Sequence, residues 1–247
     1  MAGHSKWKNI RIRKGRQDAI RGKLFTKLSR EIIVAAKTGG GDPDMNARLR
    51  VAIAKAREAS VPVDNIKRSV QRGTGELEGA DFDEVTYEGY GPGGAAILVE
   101  CTTENRNRTV ADLRHAFAKS GGNLAENGSV SWQFKRLGQI VVDPGSKSEE
   151  EVTLLAIDAG AQDVVPDDEG LVVYTAVEDL HSTNEALERA GLRTTDVELT
   201  YVPSNKTEIS SEDAPKVVRL LEMLEDLDDV QETYLNVDLP EDLLQEA

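Results

Sequence analysis

The stretch APKVVRLLEMLEDLDDVQETYLNV (214–237) reads as one helix and one strand. Val217, Leu221 and Leu224 fall at helical spacing on one face, and a strand follows near 230–237. A lone helix and a lone strand cannot bury their apolar faces by themselves. They need a sheet elsewhere in the chain that lacks them. Residues 80–136 supply one. EVTYEGY (84–90) alternates, GPGG (91–94) turns, and AAILVEC (95–101) is an apolar strand, which makes a hairpin. A helix is expected from about Arg108, carrying Val110, Leu113 and Phe117, and a strand at SVSWQF (129–134) with Val130, Trp132 and Phe134 on one side. This β-β-α-β run is short of a helix and a closing strand, and the tail provides both.

The residues between are then an insertion, and they read as a complete unit. GQIVV (138–142) is a strand. Ser148 and Glu151 have capping-box spacing before a helix with Val152, Leu155 and Ala156 inward. Residues 162–165 and 171–175 form a hairpin around PDDEG (166–170). Ser182 and Glu185 suggest a second capping box, for a helix that stops at Gly191. VELTYV (197–202) closes the unit. The order β-α-β-β-α-β is the ferredoxin-like pattern.

Upstream of the linker GTGELEGADF (73–82) the period is helical. LFTKLSREIIVAAK (24–37) places Leu24, Leu28 and Ile32 on one face, and the glycines at 39–41 stop the helix. Asp42 and Pro43 read as N-cap and first residue of a second helix that turns Leu49, Ile53 and Ala56 inward. A third runs from about Pro62 to Gly73 on Ile66 and Val70, with Lys67, Arg68 and Arg72 in it. The expected fold class is therefore α+β and multidomain. A basic three-helix domain (1–79) precedes two α+β domains of ferredoxin-like type, the middle one 80–136 plus 205–247 and the inserted one 137–204.

Charge is divided along the same boundary. Residues 1–75 carry 18 Lys/Arg against 6 Asp/Glu, and residues 76–247 carry 12 against 38, within a chain of net charge -14. A cationic segment of this size attracts phosphates, while the acidic remainder repels bulk nucleic acid. The competing reading is that the two parts neutralise each other. The first residues, MAGHSKWKNIRIRKGR (1–16), read as a cationic arm. Lys6, Lys8, Arg11, Arg13, Lys14 and Arg16 are too closely spaced for one helical stripe and suit an extended segment that orders on phosphate. Trp7 either stacks on a base or packs the arm onto the helical domain. Arg21, Lys23 and Lys27 continue the basic run. In TENRNRT (103–109), Arg106 and Arg108 stand beside a helix start, as a phosphate contact or as a solvated loop.

Enzyme chemistry has little to rest on. His4, His115 and His181 are far apart, and Cys101 lies on an apolar strand, where a buried thiol is the common case. His115 reads as structural and His181 as a surface residue. One cysteine makes no intrachain disulfide and fits a reducing, cytoplasmic setting. GYGPGG precedes a strand, so it lacks the helix N-terminus of a phosphate loop. Gly15 and Gly22 interrupt the amphipathic pattern of a transit peptide. No apolar run reaches the length of a membrane span. The expectation is no catalytic residue, no metal and no cofactor.

Several stretches carry a resemblance: MAGHSKW (1–7), QDAIRGKLFTKLSREI (17–32), GGGDPDMNARLRVAI (39–53), VPVDNIKRSVQRGTG (61–75), YEGYGPGG (87–94), ENRNRTVADLRHAFAKSGGNL (104–124) and GSVSWQF (128–134). They resemble the YebC/PmpR family, whose mitochondrial relatives are translational activators of cytochrome oxidase subunit one. RIRKGR (11–16) departs from the usual alanine-containing basic run but keeps its charge. The resemblance implies three domains around a central cleft and a non-enzymatic nucleic-acid-binding regulator. Family members are described as DNA-binding transcriptional regulators, and also as ribosome-acting factors that relieve stalling on proline-rich stretches. The distributed basic residues, without a clear helix-turn-helix, favour folded RNA. The expected partner is rRNA or tRNA on the ribosome, with promoter DNA as the alternative. The expected state is a monomer, with a weak dimer as the alternative.

Overall fold

The structure is a computed structural model that describes residues 17–167 and 170–239, with side chains from residue 21 onward. The elements are α1 (Gln17–Gly39), α2 (Ala47–Glu58), α3 (Val63–Gly73), β1 (Asp83–Tyr90), β2 (Ala96–Thr103), α4 (Arg106–Lys119), β3 (Asn123–Ala125), β4 (Phe134–Asp143), α5 (Glu149–Asp158), β5 (Asp163–Asp167), β6 (Gly170–Thr175), α6 (Leu180–Arg189), β7 (Arg193–Pro203), α7 (Ala214–Glu225) and β8 (Val230–Leu235). The described residues form two compact units, 17–131 with 207–239, and 132–206. The fold is α+β, with the second unit inserted into the chain of the first.

In the first unit, α1, α2 and α3 bury Leu28, Ile32, Ala36, Leu49, Ala52 and Ile66 against one another. The turn between α1 and α2 differs from the sequence expectation. Asp42 does not cap α2. Its Oδ1 accepts the Asp44 N–H at 2.9 Å and holds a turn. The N-cap is Asn46, whose Oδ1 accepts the Leu49 N–H at 3.1 Å while Nδ2 donates to the carbonyls of Ala35 and Gly40, both at 2.8 Å. The physical reason is the position of the cap, buried at the end of another helix. An amide serves an N–H in the first turn of α2 and carbonyls at the end of α1 together, whereas a carboxylate has no proton to donate.

The sheet of this unit has the order β3-β1-β2-β8, with every neighbouring pair antiparallel. The tail strand β8 pairs with β2, Tyr234 opposite Leu98 and Leu235 opposite Ile97. Helices α4 and α7 bring Leu113, Phe117, Val217, Leu221 and Leu224 onto Ile97, Val99 and Val230. Gly89 lets α4 approach: a Cβ there would sit 2.5 Å from the Phe117 ring.

SVSWQF is not a strand. The strand is the shorter β3, and Ser131–Gln133 is a single turn of 3-10 helix that leaves Trp132 exposed. The cause is Glu88. This carboxylate is buried and accepts the N–H groups of Gly128 at 2.7 Å, Val130 at 2.6 Å and Ser131 at 2.9 Å. Those three N–H groups turn inward, so they are lost to a ladder. Burial pushes the Glu88 carboxyl up, but the backbone donors outweigh it and hold the pKa below its ordinary value. Glu88→Gln should therefore destabilise the protein by about 1–3 kcal/mol at neutral pH, because the amide must turn a donor toward a donor. The wild-type advantage is full above the ordinary carboxyl pKa of about 4.3 and is lost as pH falls through the lower folded-state value. Urea titrations of both proteins at neutral and strongly acidic pH check this. A gap of the same size at both pH values would contradict it.

The inserted unit has sheet order β5-β6-β4-β7, again antiparallel throughout. Helices α5 and α6 pack Val152, Ala156 and Leu187 on Ile140, Val142, Leu171 and Val173. Ser148 and Glu151 form the expected capping box, with Ser148 N–H to Glu151 Oε2 at 2.9 Å and Glu151 N–H to Ser148 Oγ at 3.2 Å. The second expected box does not form. Helix α6 already runs at Ser182, whose hydroxyl donates back to the Asp179 carbonyl at 3.0 Å.

Candidate nucleic-acid interface

Three strand ends meet at one edge of the first unit's sheet: β1 begins, β2 finishes and β8 begins. Two acidic runs lie there, Asp81-Phe82-Asp83-Glu84 before and into β1, and Asp226-Leu227-Asp228-Asp229 before β8. Both receive cations from the helices. Lys23 Nζ is 2.7 Å from Asp226 Oδ1. Lys37 pairs with Asp81, and Arg48 pairs with both oxygens of Glu84. These pairs are solvent-exposed, and such pairs contribute about 0–1 kcal/mol each.

Asp229 is different. It is 6% exposed and joins three segments. Arg30 Nη1 lies 3.0 Å from Oδ1, Arg108 Nη2 lies 3.1 Å from each oxygen, and the hydroxyls of Thr109 and Thr103 donate to Oδ2 at 2.8 and 3.2 Å. Arg30 also donates to the carbonyls of Asp228 and Thr102, and its guanidinium stands 5.3 Å from the Phe82 ring centre. Burial pushes the Asp229 carboxyl up. Hydrogen bonds from Thr109 and Arg108 and the charges of Arg30 and Arg108 outweigh it and hold it below the ordinary range.

The residues expected from sequence to meet a ligand thus fall into three groups. Lys6, Trp7, Lys8, Arg11, Arg13, Lys14 and Arg16 lie outside the described residues. Arg21 is exposed, its guanidinium 5.7 Å from the Phe25 ring centre. The others are engaged within the protein. Lys27 is 9% exposed and reaches the Glu225 carbonyl at 3.3 Å. Arg106 pairs with Asp83 at 3.0 Å, and Lys23 and Arg108 are paired as described. Part of the positive charge of the helices is therefore neutralised by the sheet edge.

The remaining charge faces outward. On α3, Ile66, Ser69 and Val70 turn toward the core, and Asp64, Lys67, Arg68, Gln71 and Arg72 occupy the opposite, exposed arc. Arg57, in the last turn of α2, is exposed as well. Among the described residues, Arg57, Lys67, Arg68 and Arg72 have no hydrogen-bond or ion-pair partner. Sequence reasoning placed Lys67, Arg68 and Arg72 in the third helix but chose the arm, Arg21, Lys23, Lys27 and the 103–109 loop as contacts. The signal that separates the groups is periodicity: Lys67, Arg68 and Arg72 avoid the apolar stripe of a short amphipathic helix with only Asp64 to oppose them.

The described histidines and the cysteine stand apart from one another. His115 is exposed on α4 rather than structural, and His181 lies 3.6 Å from Glu185 on the surface of α6. Cys101 is 2% exposed, and burial pushes its thiol up to about 12. Among the described residues no three His, Cys, Asp or Glu side chains are grouped to hold a metal ion, and no helix is long and apolar enough to cross a membrane.

Known proteins match along the chain. The family model "TACO1/YebC protein N-terminal domain" covers residues 5–76, and "TACO1/YebC second and third domain" covers 82–237. A "Probable transcriptional regulatory protein" of Thiobacillus denitrificans is 54% identical over 244 residues, 98% of this chain and 100% of that one. A protein of the same name from Acidithiobacillus ferrooxidans is 53% identical over 242 residues, 98% of this chain and 96% of that one. The crystal structure of a conserved hypothetical protein from Aquifex aeolicus is similar at a TM-score of 0.83 and 49% identity, covering 90% of this chain and 92% of that one.

Proposed function

This chain belongs to the TACO1/YebC family, and on that premise we propose that it is a nucleic-acid-binding regulator of gene expression without chemistry of its own. Its ligand is a folded RNA of the ribosome, and its action is to relieve stalling on proline-rich stretches. The observation that carries the reading is the unpaired basic arc of Lys67, Arg68 and Arg72, with Arg57 on the neighbouring helix. Cations that no internal carboxylate satisfies, on a protein of net charge -14, are placed to release counterions onto a polyphosphate. The arm residues Lys6, Lys8, Arg11, Arg13, Lys14 and Arg16 add to the same footprint, with Trp7 as a stacking group. Holding two reactants in productive geometry accelerates a slow bond-forming step without a catalytic group.

A second reading, a transcriptional regulator on DNA, is favoured by the name of the relatives from Thiobacillus and Acidithiobacillus. Charge serves both, since both ligands are polyphosphates. Co-sedimentation with ribosomes at physiological salt, with excess promoter-sized duplex DNA as competitor, separates them. Retention on ribosomes, lost in the variant Arg11→Glu/Arg13→Glu/Lys14→Glu, is the expected result. Displacement by the duplex together with weak ribosome binding would establish the DNA reading in its place.

A further inference from the structure

We propose that Lys23, Lys37 and Arg48 are ligand-binding cations held in reserve, and that the acidic sheet edge is the internal competitor a polyphosphate must displace to reach them. The inference rests on the polyphosphate-binding function proposed above. Its basis is a difference between two kinds of ion pair at one edge. Arg30 and Asp229 are buried, their side chains 12% and 8% exposed, and each makes further hydrogen bonds inside the protein. That pair keeps α1 attached to the sheet. The three others are open to solvent: Lys23 on Asp226, Lys37 on Asp81 and Arg48 on Glu84, with every side chain at least 40% exposed. An exposed pair exchanges one partner for another at little cost. A phosphate oxygen is as good an acceptor for these cations as a carboxylate, and for Arg48 it offers the same two-pronged geometry that Glu84 does.

The arrangement has a consequence for selectivity. A weakly charged or sparse anion does not repay the loss of three internal pairs. A dense array of phosphates does, because several are captured together. The acidic edge thereby raises the charge density a ligand needs. The unpaired arc on α3 makes first contact, and the reserve cations extend the footprint afterwards.

Salt dependence reads this out. Exchanging an internal pair for a phosphate contact releases a counterion from the ligand and takes one up on the abandoned carboxylate, so in the wild type these three contacts add little to the salt slope. With the carboxylates neutralised they add their full share. The test measures binding of a fluorescein-labelled RNA hairpin to the full chain by anisotropy, over a range of salt. Three proteins are compared: wild type, Asp81→Asn/Glu84→Gln/Asp226→Asn, and a control of equal charge change on exposed acids of the inserted unit, Glu150→Gln/Asp158→Asn/Glu178→Gln. Asp229 is left in place, so the buried anchor and the fold are retained. The sheet-edge variant should bind about tenfold tighter than the control at about 0.1 M salt, with a log–log salt slope steeper by about 2 to 3. Equal slopes and affinities in the two variants would overturn the reserve-cation proposal and leave the polyphosphate reading intact. Absence of binding by all three proteins would remove that reading and the proposal with it.

Discussion

Asp229→Ala should lower the unfolding free energy by about 3–5 kcal/mol, the loss expected when one member of a buried ion pair is deleted. The carboxylate accepts from Arg30, Arg108, Thr109 and Thr103, so its removal leaves several donors turned toward one void. Arg108 is partly exposed and recovers water. Arg30 does not, because its side chain is 12% exposed and boxed in by Phe82 and the Thr102 carbonyl. The unpaired guanidinium therefore dominates the loss. Asp229→Asn keeps the volume but brings two amide protons among donors, and should recover only a small part. At about 2–4 °C per kcal/mol for a chain of this size, the melting temperature falls by on the order of 10 °C. A double-mutant cycle with Arg30→Ala isolates the pair. The double variant should cost no more than Asp229→Ala alone, because the unpaired guanidinium is gone. A loss below about 1 kcal/mol for Asp229→Ala would show that the network is not what attaches α1 to the sheet.

Acid should act on the same network. The folded-state pKa of Asp229 is depressed, so its contribution is complete above the ordinary aspartate value of about 3.9 and disappears as pH falls through the lower folded value. Glu88 behaves alike in the same unit. Acid unfolding of residues 17–131 with 207–239 should therefore begin only below the ordinary carboxylate range.

Much of the architecture was legible because it rests on periodicity. The apolar positions of 24–37, 152–156 and 217–224 repeat at helical spacing, and those of 84–101 and 138–142 follow strand patterns. The insertion followed from an argument of burial: a helix and strand at the tail had no partner nearby, and β8 does pair with β2. What escaped were local features decided by a distant side chain. Asn46 caps α2 because the end of α1 lies against it, and a hydrogen-bond partner eleven residues away leaves no mark in the pattern. SVSWQF alternates like a strand, yet Glu88, far upstream, draws the N–H groups of Val130 and Ser131 away. In the candidate site, net charge was legible and its distribution was not. A count of cations does not tell which are paired, and Lys23 and Lys67 look alike until Asp226 is placed beside one of them.

Reversing Lys67, Arg68 and Arg72 to Glu should weaken RNA binding roughly hundredfold at about 0.1 M salt and flatten the log–log salt slope by about 2 to 3. The three side chains lie on the arc of α3 opposite Ile66, Ser69 and Val70, and they touch no partner among the described residues. Their removal therefore leaves the core as it is, and circular dichroism and melting temperature should stay at wild-type values. The size of the effect comes from position. These cations are exposed and unpaired, so each phosphate they hold releases a counterion with no internal pair to break first. Reversal also adds three charges beside Asp64, and repulsion then replaces attraction on one face. An equal reversal at Lys23, Lys37 and Arg48 should weaken binding less, since those cations are partly neutralised already, and should destabilise the protein by setting Glu against Asp226, Asp81 and Glu84. The ranking of the two triple variants is the decisive quantity. Should the α3 variant retain wild-type affinity and slope while the α1–α2 variant loses both, the outward arc is a solvated surface and the ligand lies on the sheet-edge side of the helices.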